Sequence, residues 1–387
     1  MSTDAAAGSV RFLPETCLAA SSVPAGSIAI VLHDLRGGGA ERACLRLAGG
    51  LAAKGRAVDL VLVQAGGAYQ ADIPPGVRVT VLGSRRVLHA IPALAAWLRR
   101  EKPLAVLSAL THMNVATLVA ARLSGTGARI AVSERNQISA KAAKAGTSWQ
   151  RLLYRAVPLV YRMAGHVIAV SGGVARDLAQ FGALPPDRVH VIHNPVFSDD
   201  LDLMSASPPD HPWFTPDGPP IVLAVGRLHQ QKGFEVLIDA FARTRAQIDC
   251  RLVIVGEGPD RAALERRAEQ LGLRYDIDLP GFCANPFALM ARAGAFVLSS
   301  RWGGFPNALV EAMACGAPVI ATDCPSGPRE ILEGAAPLVP VDDVDAMAAA
   351  LSATLRRRPD TAVTRARARA FSVSAAADRY LQLLERA

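Results

Sequence analysis

Residues Ala295–Leu332 read AFVLSSRWGGFPNALVEAMACGAPVIATDCPSGPREIL. Phe296, Val297 and Leu298 make a short apolar run that stops at Ser299 and Ser300, the pattern of a strand buried on both faces of a parallel sheet. Gly303, Gly304 and Pro306 cannot all continue a strand. Asn307 then supplies a helix N-cap ahead of apolar positions at Ala308, Leu309, Ala312 and Met313. Gly316 ends that helix and Pro318 to Thr322 reads as the next strand, so the unit is a βαβ crossover. A second loop, Cys324 to Pro328, leads into another helix start at Arg329.

A loop at the carboxyl end of a parallel strand and the amino end of a helix favours an anion, because unpaired N–H groups and the positive dipole end meet there. Glycines let that anion approach the backbone. Glu311 lies one turn into the helix on the face of Asn307. Its carboxylate suits a neutral diol such as a ribose better than a phosphate, so a nucleotide fits loop and helix together. The same residues also read as a plain chain turn and a solvated helix carboxylate.

The run from Ser299 to Asp323, with Gly304-Phe305-Pro306-Asn307, Glu311-Ala312, Gly316 and Pro318 to Asp323, followed by Pro325 to Glu330, resembles the nucleotide-sugar site of retaining glycosyltransferases of family four. The resemblance implies an α/β protein of GT-B fold: two Rossmann-like domains with parallel sheets facing a central cleft. That family has two glutamates separated by seven residues. The second matches Glu311, implied to hold the ribose; the first, which holds the donor sugar hydroxyls, falls on Gly303. This departure supports nucleotide binding better than sugar turnover.

The chain has 387 residues, long for one core and comfortable for two domains. No apolar run approaches the roughly 20 residues of a bilayer span. Residues 1–26 read as a loose extension rather than a signal peptide, since Asp4 precedes the first arginine and no compact apolar core follows. Six cysteines are scattered without a CxxC pair, which argues against a zinc site or disulfide framework and for a reducing, cytoplasmic compartment. The excess of 42 Lys+Arg over 34 Asp+Glu suits anionic partners without selecting among them.

Residues 27–197 are read as the first domain. A strand from Ile28 to Leu32, the glycines Gly37 to Gly39, a helix from about Ala40 to Ala53 and a strand from Val58 to Val63 form a nucleotide-fold half. GxGxxG spacing is absent, which argues against a dinucleotide. The resemblance puts the Gly-Gly-Ala-Glu-Arg segment, Gly38 and Gly39 to Arg42, at the interdomain cleft near the donor phosphates and sugar; Glu41 within it reads equally as a first-turn carboxylate. Beyond the strand at Ala105 to Ser108 lie Thr111, His112 and Asn114, where sites occur in open α/β sheets. His112 reads as a neutral imidazole for a sugar hydroxyl or as a structural histidine. Arg135 and Asn136 follow the strand Arg129 to Val132, and with Asn114 are candidates for the acceptor; for Arg135 the alternative is an ordinary ion pair. Residues 138–165 alternate Lys141, Lys144, Arg151, Arg155 and Arg162 with Trp149, Leu152, Leu153, Tyr154, Val157 and Tyr161, a helical stretch expected to break at Pro158. It reads either as a face for an anionic bilayer or lipid-diphosphate acceptor, or as a core helix with a solvated basic side.

Residues 198–220, rich in Asp, Ser and Pro, read as a linker. The second domain, 221–370, opens with a strand at Ile221 to Val225 and then Gly226-Arg227-Leu228 and Lys232-Gly233. Arg227 and Lys232 can together neutralise a diphosphate and stabilise charge on its leaving oxygen without a metal. The resemblance assigns them that role, and brings Gly256 to the cleft and Gly281-Phe282 beside the base, although the glycines of these two segments read mainly as structural. Residues 371–387 are implied to form a helix crossing back to the first domain.

The expected function is retaining, metal-independent transfer of a hexosyl or N-acetylhexosaminyl group from a nucleotide-diphosphate sugar to a lipid-linked or cell-envelope glycan. Arg227, Lys232, Glu311 and His112 would carry the reaction. Gly38, Gly39, Gly226, Gly256 and Gly303 to Asn307 would surround the donor, with a UDP-sugar first among the donors, no separate cofactor and no nucleic acid partner. A degenerate nucleotide-sugar binder and an epimerase of the same fold stay open as alternatives.

Overall fold

The computed structural model describes residues 26–36, 38–198 and 200–385. The extension expected over residues 1–26, apart from Gly26, lies outside the described residues, as does Gly37 of the first glycine loop. The chain forms two parallel sheets. The first contains β1 (Ile28–Leu32), β2 (Val58–Leu62), β3 (Val77–Val81), β4 (Ala105–Ala109), β5 (Arg129–Glu134), β6 (His166–Ala169) and β7 (Val189–Val191), in the order β3-β2-β1-β4-β5-β6-β7. The second contains β8 (Ile221–Val225), β9 (Arg251–Val255), β10 (Ile277–Gly281), β11 (Ala295–Leu298), β12 (Val319–Thr322) and β13 (Leu338–Val339), in the order β10-β9-β8-β11-β12-β13. Every residue of β1, β2, β4, β11 and β12 is buried, as strands of a parallel sheet covered by helices on both faces are, and the polar Asp59, Ser108 and Thr322 are buried among the apolar residues.

In each sheet the strand order reverses once around the first strand of the lobe, between β1 and β4 and between β8 and β11. A crevice opens outside the carboxyl ends of the strands at such a switch. The loops bounding these two crevices are those after β1 and β4 in one lobe, and those after β8 and β11 in the other.

Two differences from the sequence reading have local causes. Pro158 does not break its helix, which runs Ser148–Val160 with Pro158 inside it. The missing N–H removes a single bond close to the C-terminus, and the helix begins in a capping box between Thr147 and Gln150. Residues 198–220 also contain a helix, Asp200–Ala206, whose Leu201 is buried.

The chain passes between lobes twice, side by side: the backbone N–H groups of Val196 and Phe197 both donate to the Phe371 carbonyl, at 2.9 and 3.0 Å. The closing helix, Val373–Glu385, packs on the helix Gly39–Ala53. The fit is close, since a Cβ on Gly50 would lie 2.7 Å from Val373 Cγ1. Lys54–Asp378 and Arg56–Glu385 ion pairs, each 2.7 Å, flank the contact. Tyr380 and Leu384 are buried in the same core as Ile28 and Ile30.

Candidate functional site

The loop after β8 carries Arg227, which is exposed, and Lys232, which is half-buried. Lys232 lies across Gly226, where a Cβ would meet its Cε at 3.1 Å. Burial pushes its ammonium pKa down, with only the nearby Cys324 thiol opposing. Among the described residues no carboxylate pairs with either cation. The loop is tied to its neighbour after β11: Gln231 Nε2 donates to the Trp302 carbonyl at 2.9 Å, and the Arg301 N–H to the Gln231 carbonyl at 2.9 Å. Ser299 Oγ donates to the Lys232 carbonyl at 2.7 Å. The Lys232 end of this loop therefore stands beside the loop after β11 at the switch-point crevice, with Arg227 exposed on the same loop.

The glycines divide into those that packing requires and one that it does not. At Gly256, φ is +142°, and a side chain would overlap the Gly226 carbonyl. Gly304 pairs with Asn136 of the other lobe, and a side chain there would overlap the Arg135 carbonyl. At Gly303 a Cβ would meet nothing within 4 Å, so neither backbone nor packing demands glycine.

Several expected donor residues instead join the lobes. Asn307 Oδ1 accepts from Asn194 Nδ2 at 2.7 Å, while its Nδ2 donates to the Gly39 carbonyl at 2.9 Å. Phe305 is buried, with its ring stacked on His193 and edge-on to Phe371 at centroid distances of 5.3 and 5.4 Å. Pro306 packs against Gly327. Phe305 and Pro306 thus shape the loop rather than offer a surface to a ligand. Gly38 and Gly39 open the helix Gly39–Ala53, whose first N–H groups receive no side-chain cap from the described residues.

Glu311 is buried, and its Oε1 is held from across the cleft by Arg46 Nη1 at 3.0 Å, with Arg42 Nη1 at 3.7 Å. Arg42 also lies over the Tyr69 ring, 4.9 Å from its centroid. Oε2 has no hydrogen-bond partner among the described residues. Arg42 closes the Gly38 to Arg42 segment that the resemblance puts at the cleft, whereas Arg46 was not singled out in the sequence. Their spacing places them on one helix face, but the partner is 265 residues away.

In the first lobe, β4 leads into the helix Thr111–Ser124 through Leu110, whose φ of +77° is strained for a bulky side chain. His112, in the first turn, packs edge-on to His33 at 6.0 Å. Burial first, then His33 and Lys141, lower its pKa to about 4, so the imidazole is neutral at physiological pH.

The acceptor assignments of Asn114 and Arg135 are corrected by their burial. Asn114 is fully buried, and its amide donates to the Ser133 carbonyl and to Glu134 Oε1, each at 3.0 Å, and contacts Tyr161 Oη at 2.9 Å. Arg135 is also buried; it donates to Asn194 Oδ1 at 2.5 Å and to Cys44 Sγ at 3.3 Å. Both side chains are committed to the fold. Asn136 remains at the cleft through its bridge to Gly304.

Two further acids were missed. Glu134, at the end of β5, is buried and accepts from Thr111, Asn114 and Tyr161, with burial raising its pKa. Glu330 accepts from the Gly172 N–H at 2.9 Å and lies 3.5 Å from His193 Nε2. Burial works to raise its pKa, but hydrogen bonds from His193 and backbone N–H groups outweigh it and hold the carboxyl below its ordinary value.

A family model described as Glycosyltransferase Family 4 matches residues 37–199, and one described as Glycosyl transferases group 1 matches residues 219–357. A Campylobacter jejuni N-acetylgalactosamine-N,N'-diacetylbacillosaminyl-diphospho-undecaprenol 4-alpha-N-acetylgalactosaminyltransferase is 32% identical over 175 residues, 45% of this chain and 46% of that one. A lipopolysaccharide 1,6-galactosyltransferase of Salmonella typhimurium is 31% identical over 176 residues, 44% of this chain and 46% of that one. The chain thus spans less than half the length of these curated relatives. Anabaena HepE, crystallised with UDP and glucose, superimposes with a TM-score of 0.80 at 20% identity, over 94% of this chain and 100% of that one. With family models matched to both lobes and two all-parallel sheets sharing one cleft, the chain belongs to glycosyltransferase family 4, of GT-B fold.

Proposed function

We propose that this protein transfers a sugar, with retention at the anomeric carbon, from a nucleotide-diphosphate donor to a glycan acceptor. The observation that carries this reading is the pair of unpartnered cations, Arg227 and Lys232, at the β8–β11 switch point. An unpaired cation in a partly desolvated crevice is costly unless an anion arrives. A diphosphate supplies that anion, and both cations then stabilise the charge that develops on its leaving oxygen as the glycosidic bond breaks. Glu311 Oε2 faces the ribose hydroxyls, exposed Phe282 stacks on the base, and neutral His112 exchanges a hydrogen bond with a sugar hydroxyl across the cleft. HepE's bound UDP supports uridine as the first base to try.

The acceptor is read as lipid-linked. The helix Ser148–Val160 and the turn after it expose Trp149, Leu152, Leu159 and Met163 together with Arg151, Arg155 and Arg162. An apolar face ringed by arginines suits an anionic membrane surface. No helix among the described residues is long and apolar enough to cross a membrane, so the association would be peripheral. Sedimentation with anionic vesicles should carry the wild type down and leave a Trp149→Ser, Leu152→Ser, Leu159→Ser variant in solution; equal partitioning of the two would remove the membrane from the account.

Gly303 favours a second reading, a protein that binds nucleotide sugars without transferring them. The test is turnover of a radiolabelled nucleotide-sugar panel with a membrane-extract acceptor by wild type and by an Arg227→Ala, Lys232→Ala variant. The transferase reading expects incorporation that the double variant abolishes; incorporation unaffected by the double variant would refute the assignment. Nucleotide binding without incorporation, restored by Gly303→Glu, would establish the second reading.

A further inference from the structure

Gly303 is a glycine without a structural reason. Its neighbour Gly304 is forced by the Arg135 carbonyl, whereas the space in front of Gly303 is open. The loop is nevertheless fixed: Ser326 Oγ donates to the Gly303 carbonyl at 2.5 Å, and Gln231 holds the Trp302 carbonyl. An open space on a fixed loop, beside two cations suited to a diphosphate, is room for the part of the ligand that follows the diphosphate.

Arg301, on the loop itself, is paired with Glu235 and Asp342, which leaves Lys144 as the cation beside that room with no carboxylate partner among the described residues. From Ser299 to Val310 the loop and helix start contain no acid. Lys144, of the first lobe, places Nζ over the Trp302 ring, 3.4 Å from its centroid. Lys141, one turn earlier, acts electrostatically on His112 and Glu134. The neighbouring acids are engaged or buried: Glu311 with Arg46, Glu330 with Gly172 and His193, Asp34 with His33 and Arg36, and Glu134 inside its hydrogen-bond network. Glu41 turns back over Gly38, in the first turn of its own helix.

Resting on the nucleotide-sugar reading above, we propose that the donor sugar is itself an acid, a hexuronic acid whose carboxylate occupies the space in front of Gly303 and is met by Lys144. A neutral hexose leaves Lys144 on the Trp302 ring with no carboxylate among the described residues, and the space unfilled. A carboxylate on the sugar ring satisfies the ammonium, and the absence of a side chain at 303 leaves room for it and removes repulsion. The ammonium, poised on an indole face, is held in place before the ligand arrives. Gly303 and Lys144 are thus specificity determinants, one by size and charge removed, the other by charge supplied from the opposite lobe.

Isothermal titration of the full chain with UDP, UDP-glucose, UDP-glucuronate, UDP-galactose and UDP-galacturonate tests this, with GDP, GDP-mannose and GDP-mannuronate run alongside. In the wild type one acid donor should bind about two- to fivefold tighter than its neutral counterpart, the order expected of an ion pair to an exposed cation. Lys144→Met should erase that ratio while leaving the bare nucleotide affinity unchanged, and Gly303→Glu should reverse it, with melting temperatures confirming that both variants fold. Equal binding of acid and neutral sugars by the wild type, with the nucleotide bound, overturns the proposal and leaves the nucleotide-sugar reading standing. Failure of both bare nucleotides to bind overturns the reading and the proposal together. A Lys144→Met defect confined to acceptor KM would assign the lysine to an acceptor anion and also overturn the proposal.

Discussion

Replacing Lys232 by methionine should move stability and nucleotide affinity in opposite directions. The methionine keeps the aliphatic stem that crosses Gly226 and removes only the charge. In the unliganded protein that charge is half-buried and has no carboxylate partner among the described residues, and burial holds its pKa below the ordinary lysine value. Leaving a polar group uncompensated costs about 1–3 kcal/mol, and the lower end applies to a group in partial contact with water. The unliganded variant should therefore gain about 1 kcal/mol, roughly 2 °C in melting temperature for lobes of this size. The sign with pH follows. A lysine with a lowered folded pKa binds fewer protons folded than unfolded just below its ordinary titration range. Wild-type stability should then rise with pH through that window, and the variant should lack the rise. A charge-assisted hydrogen bond to phosphate contributes about 1.5–3 kcal/mol, so affinity for a nucleoside diphosphate should fall about 10- to 150-fold. Differential scanning fluorimetry and calorimetric titration read the two effects on one preparation. A variant that melts lower without ligand and binds the nucleotide unchanged would refute the reasoning, since Lys232 would then be a structural cation.

Gly303→Ala should leave the melting temperature unchanged, whereas Gly304→Ala, which drives a Cβ into the Arg135 carbonyl, should lower it by several degrees and loosen the lobes; equal melting temperatures would contradict the packing distinction. Asn307→Ala loses two interlobe hydrogen bonds, about 1–3 kcal/mol in favour of an open cleft, and small-angle scattering of the unliganded variant should show a larger radius of gyration. His112, with a pKa of about 4, binds a proton more readily unfolded than folded between about 4 and 6.5. It should contribute stability that is lost as pH falls through that window, and its imidazole resonances should not titrate above pH 5; a midpoint near 6.5 would show it solvated. For Glu134 the sign is opposite: its raised pKa makes the folded state bind the extra proton, so stability should decline as pH rises above the ordinary carboxylate range, and Glu134→Gln should flatten that decline in urea titrations.

What was legible in the sequence was what is local. The apolar runs of β1, β4, β8 and β11, the glycine and asparagine punctuation after them, and the cations of the Gly226–Gly233 loop each announce themselves within a dozen residues, and the structure brings those loops to two switch-point crevices. β3 escaped notice because Val77-Arg78-Val79-Thr80-Val81 alternates apolar and polar residues as a half-buried edge strand does, without a continuous apolar run. The helix Val87–Glu101 was hidden by Pro92 inside it. Site residues were misassigned where their role depends on distant partners. Asn114 follows a strand end, as a ligand-binding residue would, but Tyr161, 47 positions later, buries against it. Arg135 is taken up by Asn194, 59 positions on. The Arg46–Glu311 pair joins two lobes whose mutual placement no local pattern encodes.

A crystal structure of the full chain with a bound nucleoside diphosphate would test the central claim most directly. The expected electron density has the two phosphates between the Arg227 guanidinium and the Lys232 ammonium, and the ribose hydroxyls within hydrogen-bond reach of Glu311. A diphosphate bound elsewhere, with Arg227 and Lys232 still unpaired, would contradict it.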